Sequence, residues 1–224
     1  MLSNMVGEDV FRAGLLSYIN EHKYSNVTSN DLWEAMQSAL NQSDTTVGDF
    51  QVKEVMDTWI EQNGYPLVTV TRNYTTGDIT ISQEPSPADT DKTQRKWCIP
   101  INYATKSTPD FSVTKPMRWL KQNDEKLVIQ GVDVDDWIII NLQHTGYYRV
   151  NYDSTNWEKI AQYLNTEDYN KIHPANRIQL LNTAVYLLSV KRLSPTIFLQ
   201  LANYLHREVD PLVWNGALEI IGNM

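Results

Sequence analysis

The stretch Val52-Lys53-Glu54-Val55-Met56-Asp57-Thr58-Trp59-Ile60-Glu61-Gln62-Asn63-Gly64-Tyr65-Pro66-Leu67-Val68-Thr69-Val70-Thr71 changes its period in the middle. The first half sets Val52, Val55, Met56 and Trp59 at i, i+3, i+4 and i+7, which is one apolar face of a helix. Asn63-Gly64 follows where a helix needs a residue that tolerates the left-handed region. From Tyr65 onward β-branched residues alternate with a period of two, which reads as a strand. A helical layer therefore meets a β unit at Tyr65.

Upstream of that switch, Phe11, Leu15, Tyr18 and Ile19 form a helical face that starts at Glu8 and fades in the polar turn residues 23–26. Asp31 with Glu34 three residues on has the form of a capping box, ahead of Leu32, Met36, Ala39 and Leu40 on one side of the next helix. Downstream, strand periodicity recurs over 67–71, 78–83, 96–103, 113–120, 127–132, 137–142 and 147–152, with turn signals between. Seven short strands in about 90 residues predict a small antiparallel β-sandwich. After Asp153 the period is helical again, through Trp157, Ile160, Ala161 and Leu164, then Ile178, Leu181, Val185 and Leu188, then Ile197, Leu201 and Leu205. Pro195 and Pro211 stand where helices begin.

The expected fold class is multidomain α and β, with separate layers rather than one interleaved sheet: helical 1–63, sandwich 64–153, helical 154–224. Both helical ends carry open apolar flanks, which predicts that the chain is an internal piece needing neighbours.

Composition excludes several functions. With 42% hydrophobic and 21% charged residues the 224-residue chain is globular material rather than disordered. A net charge of −8 without a basic stripe repels a phosphate backbone, so nucleic acid is not an expected partner. No apolar run approaches the roughly 20 residues of a membrane span. Residues 1–5 lack the pattern of a signal peptide. Cys98, the only cysteine, excludes an internal disulfide and thiolate clusters. Asn26, Asn41 and Asn73 each open an Asn-x-Ser/Thr sequon and are candidate N-glycosylation sites.

Catalytic motifs are absent. A helical zinc peptidase site needs HExxH, two imidazoles one turn apart beside a carboxylate; His22, His144, His173 and His206 lie on four different segments and read as surface or capping residues. There is no Gly-x-Ser-x-Gly elbow and no phosphate-cradling glycine loop, so no nucleotide cofactor is implied. Cys98, between Trp97 and Ile99, reads as inert packing. Asp133, Asp135 and Asp136 lack the glycine and terminal glutamate of an EF-hand loop and read as a solvated turn. No catalytic and no metal-binding residue is assigned.

Three segments nevertheless resemble one family. Gly146-Tyr147-Tyr148-Arg149-Val150-Asn151-Tyr152-Asp153 resembles the sequence that closes the β-sandwich of the aminopeptidase N group of gluzincin zinc exopeptidases. The stretch 58–70 resembles that family's passage from catalytic domain to sandwich, and Asn176-Arg177-Ile178-Gln179-Leu180-Leu181-Asn182-Thr183-Ala184 resembles an early helix of its C-terminal superhelical domain. With residues 8–15, the likeness covers essentially the whole chain and extends to the midgut aminopeptidases of insects.

The resemblance implies that 1–63 end a thermolysin-like catalytic domain, that 64–153 are the sandwich and that 154–224 begin the α-helical domain. It implies a parent that removes N-terminal residues from peptides with zinc, at the extracellular face of the plasma membrane, anchored through parts outside this chain. The family's GAMEN segment, HExxH with its second glutamate, and catalytic tyrosine all precede the part matched here. This chain is therefore expected to bind no zinc and to act as scaffold and inter-domain hinge, its partners the remaining domains of the parent and, through them, the peptide substrate. Gly146, Tyr148, Arg149, Asn151 and Tyr152 are expected to be structural, with Tyr147, Arg149 and Asn151 on one strand face and Tyr148, Val150 and Tyr152 on the other. The alternatives are a receptor-type module that binds a protein ligand at the cell surface and a short regulatory isoform.

Overall fold

A computed structural model describes residues 1–43, 50–90 and 93–222. Four helices come first: α1 (Leu2–Val6), α2 (Glu8–Glu21), α3 (Ser29–Asn41) and α4 (Val52–Ile60). Eight strands follow: β1 (Pro66–Arg72), β2 (Ile79–Pro85), β3 (Ile99–Ile101), β4 (Tyr103–Thr105), β5 (Arg118–Leu120), β6 (Leu127–Ile129), β7 (Ile138–Ile140) and β8 (Arg149–Tyr152). Helices α5 (Ser154–Leu164), α6 (Pro174–Ser189), α7 (Pro195–Asn203) and α8 (Pro211–Gly222) complete the chain. The class is mixed α and β.

The first helices bury Met5, Val6, Val10, Trp33, Met36, Leu40, Val52, Val55 and Met56 in one cluster. The face expected on α2 is rotated: Val10 and Gly14 are buried, while Ile19 is exposed. Gly14 explains the rotation. A Cβ there would lie 3.1 Å from the Met36 Cα, so α2 and α3 approach along a seam that only glycine leaves open. The cap of α3 is also shifted, because the Asp31 carboxylate accepts hydrogen bonds from the Thr28 N–H (2.6 Å) and hydroxyl (2.8 Å). Thr28 is thus the N-cap, and Asp31 the third helical residue rather than the cap.

The β unit departs from an antiparallel sandwich in one pairing. The four-stranded sheet runs β6-β2-β1-β8, with β1 antiparallel to β2 and β2 to β6, but β1 and β8 are parallel, with Leu67 opposite Arg149 and Val70 opposite Tyr152. Periodicity fixes which residues are strands and which face they bury, but not the partner of strands about 80 residues apart. The strand expected at 96–103 is two strands, β3 and β4, which pair with β5 and β7. Asn102 interrupts it: its side chain donates to the Thr114 carbonyl (2.5 Å) and accepts from the Leu142 N–H (2.8 Å). The strand expected at 113–120 shortens to β5, since Pro116 offers no N–H to a ladder. Buried residues of all these strands and of α5 to α8 share one hydrophobic cluster, including Trp97, Trp137 and Trp157.

Candidate functional site

The residues singled out in 146–153 sit where β8 meets α6. The alternation of β8 buries Val150 and Tyr152 and leaves Arg149 and Asn151 partly exposed, with Tyr148 buried and Tyr147 exposed just before it. The buried tyrosines tie the strand to β3 and to β7, which belong to two separate two-stranded sheets. Tyr148 donates its hydroxyl proton to the Pro100 carbonyl (3.0 Å), and the Tyr152 hydroxyl accepts from the Ile140 N–H (3.1 Å). Burial pushes both phenols above the usual tyrosine range.

On the other face, Arg149 brings together all three segments that carry the family resemblance. Its Nη1 donates to Asn182 Oδ1 on α6 (2.8 Å), and its guanidinium lies 4.6 Å from the Tyr186 ring centre and 6.0 Å from that of Tyr65. Asn151 accepts from Trp157 Nε1 (3.1 Å), fixing the first turn of α5. Gly146 allows the tight approach of the Tyr148 ring, whose Cε1 would stand 2.2 Å from an added Cβ.

The loop before β8 holds three non-glycine residues at positive φ, Asn141 (62°), Gln143 (53°) and His144 (57°). Each such residue costs roughly 1–3 kcal/mol unless its surroundings compensate, and here two buried amides do so. Asn141 accepts from the Gly146 N–H (2.7 Å) and donates to the carbonyls of Gly146 (3.0 Å) and Tyr148 (3.2 Å). Asn176 on α6 accepts from the Gln143 N–H (2.7 Å) and donates to the Asn141 carbonyl (3.0 Å). The sequence hints at this pair only through two polar residues lying at buried positions.

A buried ion pair was equally illegible. Arg177 makes a two-pronged contact with Glu208, Nε to Oε2 at 2.8 Å and Nη2 to Oε1 at 3.1 Å. Glu208 Oε1 also accepts from the N–H groups of Val209 and Asp210 (3.0 Å each), which lead into α8.

The histidines do not converge. His22 ends α2, His144 lies in the strained loop, His173 caps α6 by accepting from the Ala175 N–H (3.2 Å), and His206 Nδ1 meets the Asn203 carbonyl. Among the described residues no group of three or more His, Cys, Asp or Glu is placed to hold a metal ion, so these side chains do not fit a zinc site. Asp136 instead accepts from the Ser107 N–H (3.0 Å) and hydroxyl (2.9 Å), Asp133 from the Asp135 N–H (2.9 Å), and the carbonyls of 132, 133 and 136 take the buried Arg72 guanidinium. Burial pushes the Cys98 thiol up to about 11, which leaves it protonated and unreactive at neutral pH. A hollow of about 740 Å³ beside α4 carries Glu54, Asp57 and Glu61 along one helix face, where Asp57 pairs with Lys53.

Of the sequons, Asn26 and Asn73 are exposed in loops, with Asn73 Oδ1 accepting from the N–H groups of Thr75 (2.9 Å) and Thr76 (3.2 Å). Asn41 is exposed as the last residue of α3.

Comparison with known proteins defines the class. The model of the "Peptidase family M1 domain" matches residues 1–59, and that of the "ERAP1-like C-terminal domain" matches residues 137–224. The chain is 32% identical over 221 residues to aminopeptidase N of Plutella xylostella, covering 97% of this chain and 23% of that protein. It is 34% identical over 226 residues to aminopeptidase Q of Homo sapiens and 33% identical over 223 residues to the membrane alanyl aminopeptidase of Heliothis virescens, covering 97% of this chain and 22% of each. The chain belongs to the aminopeptidase N family, and spans 22–23% of the length of these relatives.

Proposed function

We propose that this chain is the structural middle of a zinc-dependent aminopeptidase that removes N-terminal residues from peptides. In that reading 1–63 close the thermolysin-like catalytic domain, 64–153 are the sandwich, and 154–224 open the superhelical domain. The observation that carries it is the Arg149 junction: Tyr65 at the first boundary, β8 at the second and Asn182 and Tyr186 on α6 are held by one side chain. A residue that ties together the two ends of a β unit and the following helix suits a scaffold and inter-domain hinge. The activity is that of the similar aminopeptidases N and Q.

Zinc belongs, on this proposal, to residues outside the chain, as do the membrane anchor and the peptide site; among the described residues no helix is long and apolar enough to cross a membrane. The partners are the rest of the catalytic and C-terminal domains, at the extracellular face of the plasma membrane, with the exposed Asn26, Asn41 and Asn73 as glycan acceptors. The test is hydrolysis of an aminoacyl p-nitroanilide with zinc present. The 224-residue chain is expected to release no nitroaniline, while the long polypeptide that carries it from the same source does. Turnover by the chain alone, or none by the long polypeptide, would overturn the scaffold reading.

A further inference from the structure

The dipeptide Asn63-Gly64 lies past the end of α4 and just ahead of β1. Helix α4 closes at Ile60 with Glu61 as its C-cap, so both residues sit in an exposed turn, Gly64 at a φ of 84°. Neither the Gly64 N–H nor the Asn63 side-chain amide hydrogen-bonds another protein group among the described residues. Glycine also leaves that nitrogen without a side chain to shield it. The chain on either side is pinned. Gln62 Nε2 donates to the carbonyls of Thr58 (2.6 Å) and Lys96 (2.9 Å), and the Tyr65 carbonyl accepts from the Ser86 N–H (3.1 Å).

One contact singles this turn out. Arg95 Nη1 donates to the Asn63 main-chain carbonyl (2.7 Å), while Nη2 meets the Asp89 carboxylate (2.6 Å). That carbonyl and the Gly64 N–H belong to one peptide bond, so a guanidinium on the oxygen stabilises the anion formed when the N–H loses its proton. Asp89 offsets part of the charge, but through the other nitrogen, and it leaves Nη1 on the carbonyl. The deprotonated nitrogen is the nucleophile that attacks an asparagine side-chain carbonyl carbon. The chain has a second Asn-Gly pair, Asn215-Gly216, within α8, where the Gly216 N–H is directed at the Leu212 carbonyl. There the backbone must unwind locally before it can attack.

We propose that Asn63 is a site of spontaneous deamidation that places isoaspartate in the α4–β1 link, with Arg95 as the group that promotes it. The Gly64 nitrogen bonds to the Asn63 side-chain carbonyl carbon, whose bond to the amide nitrogen breaks. That nitrogen leaves as ammonia, carrying the proton given up by Gly64. Water then opens the succinimide. Addition at the former main-chain carbonyl, which Arg95 polarises, breaks its bond to the Gly64 nitrogen, returns a proton to that nitrogen and leaves a free carboxylate facing the guanidinium. The main chain now runs through the former side chain, longer by a methylene, between points held by the bonds of Gln62 and Tyr65. The site lies wholly within this chain and does not depend on the aminopeptidase reading.

The test ages the full 224-residue chain in mildly alkaline buffer, with circular dichroism to confirm its fold, and follows tryptic peptides 54–72 and 208–224 by mass spectrometry. The same two peptides, aged free, are the unfolded reference. Asn63 is expected to lose its amide in the folded chain at least as fast as in the free peptide, and Asn215 at least about ten-fold more slowly than in its peptide. Isoaspartate, scored by enzymatic methyl transfer to its carboxylate, is expected to be a larger share of the Asn63 product in the folded chain than in the peptide. Arg95→Met should slow the reaction at Asn63 about five-fold and return that share to the peptide's value. An Asn63 amide that survives in the folded chain as long as that of Asn215, an isoaspartate share no larger than the peptide's, or a folded Arg95→Met chain with an unchanged rate would each overturn the proposal. The isoaspartate share is read on the unaltered chain, so it decides the role of Arg95 even if the variant fails to fold.

Discussion

Replacing Glu208 by Gln should be among the most damaging near-isosteric changes in the molecule. The Arg177 and Glu208 side chains are 4% and 0% exposed and meet through two hydrogen bonds, so solvent cannot take over the stranded guanidinium. At an effective dielectric near 20, unit charges about 4 Å apart attract by about 4 kcal/mol. Breaking one partner of a buried pair costs roughly 3–5 kcal/mol. Gln keeps an oxygen for the Val209 and Asp210 N–H groups, so the loss reports the charge and not these bonds. At about 2–4 °C per kcal/mol for a chain of this size, the melting midpoint followed by circular dichroism should fall by roughly 6–20 °C. The double variant Arg177→Met, Glu208→Leu leaves no orphaned charge and forfeits the bonds to the Val209 and Asp210 N–H groups and to the Ile172 carbonyl, roughly 0.5–1 kcal/mol each. It should therefore be more stable than Glu208→Gln alone. A loss below about 1 kcal/mol for Glu208→Gln, or a double variant worse than the single, would refute the argument.

Four further outcomes are expected. Gly77→Ala should destabilise by about 2 kcal/mol or more in urea unfolding, because φ is +80° and the new Cβ would stand 2.3 Å from the Val132 carbonyl oxygen. Tyr148→Phe should lose about 1 kcal/mol, the value of its bond to Pro100, with circular dichroism unchanged. Burial raises the phenols of Tyr74, Tyr148, Tyr152 and Tyr204 above their ordinary value of 10.0, so the unfolded chain sheds those protons first. Their contribution is therefore complete below pH 10 and is lost as pH rises above it, and phenolate absorbance should appear together with unfolding rather than before it. Digestion with an N-glycosidase should shift the mobility of the chain expressed through a secretory pathway, and should leave an Asn26→Gln, Asn41→Gln, Asn73→Gln variant unmoved.

What the sequence revealed was local. Val52, Val55, Met56 and Trp59 marked α4, Pro195 and Pro211 opened α7 and α8, and alternation sorted Tyr148, Val150 and Tyr152 from Arg149 and Asn151. What it hid depended on long-range partners. Gly14 turned the face of α2 through its fit to Met36, Asn102 split a strand through bonds to Thr114 and Leu142, and Asn141 holds a left-handed backbone through bonds to Gly146, Tyr148 and Asn176. Of the site, the motif residues were legible as a group, but their convergence on Arg149 was not, since Tyr65, Asn182 and Tyr186 come from segments before and after β8.

The parallel pairing of β1 with β8 has a mechanical meaning. The chain enters β1 from α4 at the end where Leu67 faces Arg149 and leaves β8 toward α5 at the end where Val70 faces Tyr152. Tension between the first and last helices therefore draws these two neighbours past each other lengthwise. In that geometry the rungs of the ladder, with the Asp153 N–H to Val70 carbonyl bond beyond them, bear load together instead of opening one at a time like a zipper. The β unit is thus a stiff link in series between the two helical layers, and pulled from its ends it should yield abruptly at high force rather than unravel.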